Sequence, residues 1–140
     1  MNTTEKKKET AIFPKGEKAS ETLFTGTAFI NMLVTDNDNI FNSQVYDVVF
    51  ESSARTNWHS HPGGQILLVS AGKGYYQERG KKARLLQKGD VVEILPDVVH
   101  WHGAAPDSEF THIGISPNTQ KGGAVWLEAV SDKDYKRATE

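Results

Sequence analysis

The chain is 140 residues long, the length of one domain, and carries 16 Lys and Arg against 18 Asp and Glu, a net charge of −2. So even a balance points to neither a nucleic-acid nor a membrane-surface partner, and the absence of cysteine excludes disulfides and thiolate metal sites. No run approaches the ~20 apolar residues of a membrane-spanning helix, and Met1 to Lys18 lacks the apolar stretch of a secretory leader, so a soluble, cytoplasmic protein is expected.

Residues 1–20 read as a flexible arm. Glu5-Lys6-Lys7-Lys8-Glu9 is a charge run followed by Pro14 and Gly16, the pattern of a solvated tail, although Ile12 and Phe13 could dock on a sheet. Residues 21–140 form the single domain. Within it, short apolar segments rich in β-branched and aromatic residues are cut by turn residues. Strands are expected over Phe29–Thr35, Val45–Glu51, Gln65–Ser70 (ended by Gly72) and Gly74–Arg79. Further strands follow over Ala83–Gln87, Val91–Leu95 and Phe110–Ser116. The spacing of these segments predicts an all-β sandwich or small barrel. Val125–Val130 could add a last strand. Ser131 with Asp134 three residues on resembles a helix N-cap, so a short helix is expected to close the chain.

All five histidines lie between residues 59 and 112, and four form two H-x-H pairs, His59-Ser60-His61 and His100-Trp101-His102. Side chains two apart on a strand share a face. Two strands that bring such faces together can surround one metal ion, and imidazole suits zinc, copper, iron and nickel. Trp58 and Trp101 alternate with the histidines and so face away, as outer packing or a subunit contact. Leu67, Val69, Ile113 and Ile115 read as core, and Arg55 and Lys73 as surface charges.

The segment from His59 through His61 and Gln65 to Gly72 resembles the first motif of the cupin family, with Gln65 where Glu is usual. Gly89 and His100 resemble the second motif. The turns depart from the general pattern: Ser53 stands where Gly is expected, and Leu95, Asp97 and Ala104 replace Pro, Gly and Asn. A closer likeness is to the bacterial cupin hydroxynitrile lyases and their relatives. Phe24-Thr25-Gly26, Ala54-Arg55-Thr56, Trp58-His59, His61-Pro62, Gly64-Gln65 and His100 to Pro106 carry it. The resemblance implies a single cupin β-barrel of jelly-roll type and a dimer or tetramer. It implies His59, His61, Gln65 and His100 as ligands of one divalent metal per chain. Manganese is typical of the subfamily, with Fe, Ni, Co or Zn as alternatives. It also places His102 and His112 near the metal.

Three imidazoles and an amide leave the charge of such an ion uncompensated, which favours polarising a bound carbonyl or alkoxide oxygen. His102 shares a face with His100. His102 or His112 could then serve as the catalytic base, or hold a ligand by a hydrogen bond. The expected activity is a metal-dependent lyase acting on small carbonyl or cyanohydrin substrates. A cupin dioxygenase using Fe or Mn and a non-enzymatic small-molecule binding cupin are the alternatives.

Overall fold

The computed structural model of the chain describes residues 11–140. Its strands, in chain order, are β1 (Glu17–Lys18), β2 (Phe24–Thr25), β3 (Ala28–Val34), β4 (Ser43–Phe50), β5 (Arg55–Thr56) and β6 (His59–Ser60). They continue as β7 (Gln65–Glu78), β8 (Arg84–Gln87), β9 (Val91–Ile94), β10 (His100–Ala104), β11 (Phe110–Pro117) and β12 (Val125–Trp126). One helix, α1 (Asp132–Thr139), follows. The larger sheet has the antiparallel order β1-β3-β4-β11-β7-β9. The smaller has the order β2-β5-β10-β7-β8, with β6 on β10 and β12 on β6.

β7 belongs to both sheets, and a bulge lets it do so. Thr111 pairs with Ala71 but His112 pairs with Val69, leaving Ser70 as an extra residue. One inserted residue reverses the parity of a strand. Leu67 and Val69 point inward before the bulge, and Gly74 and Tyr76 after it. The two strands expected over Gln65–Ser70 and Gly74–Arg79 are therefore one. The break in alternation marks a bend, not an end. Gly72 sits at this bend with φ 75°, where an added Cβ would lie 1.9 Å from the Glu109 carbonyl oxygen.

The interior is graded along the strands. Phe50 faces Phe110 across β4 and β11, and with Phe24, Val69, Leu86 and Ala104 they form an apolar plug. Four residues further along the same two strands, Tyr46 faces Gly114, and then Gln44 faces Ser116. The apolar filling thus gives way to polar side chains and an open mouth. Ser53 and Asp97, which stand where the family pattern has glycine, both adopt left-handed conformations, with φ of 69° and 67°. Asp tolerates this region better than most residues.

α1 forms where its cap predicts it: the Ser131 hydroxyl accepts from the Asp134 N–H at 3.1 Å. Its Tyr135 packs with Trp58, Trp101 and Val130, the tryptophans being 8% and 0% exposed. The tryptophans do face away from the histidines, and they serve as outer packing beneath the C-terminal segment. Arg55, expected as a surface charge, is 4% exposed. Its guanidinium donates to the Val130 carbonyl and the Asp132 carboxylate, both at 2.8 Å, and stacks over Tyr135. Lys73 reaches Asp107 at the surface. Leu67 and Val69 are core, whereas Ile113 and Ile115 fall on the opposite face and are half-buried. The last strand stops at Trp126, short of the expected Val130. Half of the arm expected over residues 1–20 lies outside the described residues. Beyond it, Asn31 donates to the Pro14 carbonyl at 2.9 Å and β1 pairs with β3.

Candidate metal centre

The antiparallel pairing of β6 with β10 sets His59 directly opposite His100. The chain then turns through His61-Pro62-Gly63-Gly64, with Gly64 at φ 83°, and enters β7 at Gln65. This turn brings His61 back over the same point. One nitrogen each from His59, His61 and His100 lies within 4.8 Å of the others. Gln65 joins them, its Oε1 3.0 Å from His100 Nε2.

The donor set fits a cation. His59 Nδ1 lies 2.9 Å from the Asn57 carbonyl oxygen, and His100 Nδ1 lies 2.9 Å from that of Val98. A carbonyl only accepts, so each Nδ1 carries the hydrogen and each Nε2 presents a lone pair. His100 Nε2 therefore faces the Gln65 oxygen as one acceptor faces another, an arrangement that a shared positive ion satisfies. His61 Nε2 is buried without a hydrogen-bond partner, as a further free donor would be. Carbonyls that fix ligand tautomers in this way are the usual surroundings of metal-bound histidine.

The remaining two histidines sit one layer deeper. His102 Nδ1 and His112 Nε2 are 3.1 Å apart, and His102 Nε2 and His112 Nδ1 are buried and unpaired. His102 lines the cavity above the cluster, while His112 is wholly buried behind it against Phe50 and Phe110. Burial disfavours the imidazolium form throughout. It lowers His61 and His100 to about 4 and His112 to about 3. His59 and His102 are driven well below the ordinary histidine value, by burial first and then by neighbouring histidines. All five are thus neutral near pH 7, as ligands and bases must be.

The cluster opens into a cavity of about 410 Å³. Ile30, Met32, Tyr46, Ala124 and Trp126 give it apolar walls. Trp126 stacks on the His59 ring, centroids 4.6 Å apart at 25°. All six residues singled out from the sequence are therefore gathered in one place. Two that were not singled out also belong here. Trp126 arrives through the pairing of β12 with β6, which sequence spacing does not reveal. Tyr46 shares the inward parity of Val48 and Phe50 on β4 and looks like core.

Residues 46–113 match the cupin domain family. An (R)-mandelonitrile lyase from Granulicella tundricola is 41% identical over 114 residues, covering 81% of this chain and 86% of that protein. The chain is a cupin. A cupin-like protein from Thermotoga maritima shares its fold with a TM-score of 0.92 at 63% identity, over 93% of this cupin and 98% of that chain. A cupin-2 domain protein from Rhodospirillum rubrum superposes with a TM-score of 0.66 at 13% identity, over 87% of this cupin and 77% of that chain. That likeness concerns the fold alone. No helix among the described residues is long and apolar enough to cross a membrane.

Proposed function

We propose that this cupin is a metal-dependent lyase that cleaves and forms cyanohydrins, with His59, His61, Gln65 and His100 holding one divalent metal, manganese foremost. The observation that carries this reading is a neutral donor set opening, beside an unprotonated histidine, into an apolar-walled cavity. The kinship with an (R)-mandelonitrile lyase supports it. When bound, the metal supplies Lewis acidity that polarises a carbonyl or alkoxide oxygen.

The residues of the chain do the rest. Met32, Ala124 and Trp126 take the organic group of the substrate and exclude water from it. The neutral His102 imidazole, facing the cavity, accepts the hydroxyl proton of the cyanohydrin. The O–H electron pair becomes the second bond of the carbonyl, and the C–C bond pair leaves with cyanide. His102 then returns the proton, giving aldehyde and hydrogen cyanide. His112 holds the His102 ring through the 3.1 Å contact and fixes its orientation. The reverse sequence adds cyanide to an aldehyde.

An association of two or four copies belongs to the same reading. The outer face of the larger sheet, where Ile66, Leu68, Ile113 and Ile115 are half-buried, would be its contact surface.

The test is benzaldehyde release from mandelonitrile by protein loaded with Mn²⁺, with and without oxygen, and after chelation. Release that needs metal but not oxygen is expected. Inactivity at full metal occupancy, or turnover that consumes oxygen, would overturn the lyase reading.

A further inference from the structure

A metal can use the oxygen of an amide ligand, but the amide also carries an NH₂ group, which here is held in a buried place. Gln65 is 3% exposed. Its Nε2 donates to the Tyr46 hydroxyl at 2.8 Å, and that hydroxyl shares a 2.7 Å hydrogen bond with Ser116 Oγ. Tyr46 stands on β4 and Gln65 on β7, with β11 between them. The ring can reach across only because β11 has no side chain at the crossing. Tyr46 pairs with Gly114, where an added Cβ would lie 2.1 Å from the ring. Gly114 thus gives the phenol a path to a residue two strands away.

We infer that Tyr46, with Ser116 behind it, is a positioning residue for the fourth metal ligand: it accepts the Gln65 N–H and so turns the amide oxygen to the metal. This rests on the metal reading above. The hydrogen-bond count carries it. With Oε1 committed to the metal, the buried NH₂ of Gln65 needs an acceptor on its other side, and Tyr46 Oη stands there. The phenol hydrogen then passes to Ser116 Oγ. Without the hydroxyl, binding metal through the amide oxygen would strand a buried N–H, a loss borne by the metal-bound state. A metal-free Gln65 can instead turn its NH₂ toward His100 Nε2, so the penalty falls on metal affinity more than on folding.

A carboxylate at position 65 has no N–H to satisfy. This separates positioning from general support of the fold. The experiment titrates Mn²⁺ into metal-free protein and follows free ion by its paramagnetic resonance signal. It compares the wild type, Tyr46→Phe, Gln65→Glu and the double variant, each with a urea midpoint for the metal-free chain. Tyr46→Phe should weaken Mn²⁺ binding by 10- to 100-fold, the range typical of groups that orient a ligand. In the Gln65→Glu background the same change should cost under about 3-fold. Ser116→Ala should weaken binding less than Tyr46→Phe.

Equal losses in both backgrounds would overturn the inference, because Tyr46 would then not act by accepting the amide N–H. So would an unchanged affinity in Tyr46→Phe at full wild-type binding. A wild type that takes up no Mn²⁺, Co²⁺ or Zn²⁺ would instead remove the metal reading on which it rests.

Discussion

Lowering the pH should unfold the metal-free chain through its buried histidines, and the size of the effect follows from their surroundings. In the unfolded chain each imidazole takes up a proton below about pH 6.5. In the folded chain His61 and His100 do so only at about 4 and His112 at about 3, because burial disfavours the charged ring. Folded-state values below the unfolded one mean that stability is intact above pH 6.5 and is lost as pH falls toward 4. At pH 5 the gap from 6.5 costs about 2 kcal/mol for each of these three groups. His59 and His102 act in the same direction. Asp47 opposes them: burial raises its carboxyl to about 6. Folding therefore favours its protonated form, and it returns about 1 kcal/mol by pH 5. A net loss of about 5 kcal/mol between pH 8 and pH 5 remains, a large share of the 5–15 kcal/mol typical of a domain. Urea unfolding followed by tryptophan fluorescence, with chelator present, would read it. With a slope of about 2 kcal/mol/M, the midpoint should fall by about 2 M or more. A midpoint that moved by less than about 0.5 M would refute the reasoning, since the histidines would then be exchanging protons with solvent in the folded state.

Replacing His59, His61 or His100 by Ala should lower metal content more than replacing His102 or His112, measured by elemental analysis after metal-supplemented expression. Equal losses in all five would mean the deeper pair also ligates. Gln65→Glu should retain metal but lower kcat/KM for mandelonitrile at matched occupancy, because a carboxylate cancels part of the charge that stabilises a developing oxyanion. Unchanged activity would make Gln65 a geometric ligand only. Arg55→Ala should destabilise the fold by about 3 kcal/mol, since it strands the buried Val130 carbonyl and frees α1. A urea midpoint within error of the wild type would show that the C-terminal segment docks without it.

What could be foreseen from the sequence was whatever is encoded within a few residues. The two H-x-H pairs are local, and strand parity alone puts each pair on one face. Ser131 and Asp134 are likewise neighbours, and the cap formed as they predict. His112 required more, because its place beside His102 depends on pairings of β11 and β10 with different stretches of β7 across the bulge at Ser70. The features that escaped are made by distant partners. Arg55 looks like a surface charge until Asp132, 77 residues away, folds back over it. Tyr46 and Val48 follow the same alternation on β4, yet one becomes core and the other reaches the site. A glycine on the neighbouring strand and a glutamine beyond it decide which, and neither is visible from β4 itself.

The electrostatics of the cavity then bear on which chemistry it favours. Among the described residues that line it, Asp36 is the one carboxylate. Its oxygens already accept from the backbone N–H groups of Ile40, Phe41 and Ser43 at 2.9, 3.1 and 3.2 Å. It is tied to its own loop and would be a poor counter-ion for a metal held as proposed by His59, His61, His100 and Gln65. A dication among neutral ligands keeps its full charge toward the open side. That charge stabilises an oxygen that becomes negative during reaction more than it stabilises a neutral ground state, and this difference is what accelerates a step. Burial and then the neighbouring histidines already keep His102 unprotonated, so in the proposed reading base and electrophile would coexist without neutralising each other. A carboxylate ligand would weaken the stabilisation of the oxyanion. On the proposed reading, the neutral Gln65, held by a phenol that can accept its N–H, would suit this site to polarising an oxygen while a neighbouring imidazole takes its proton.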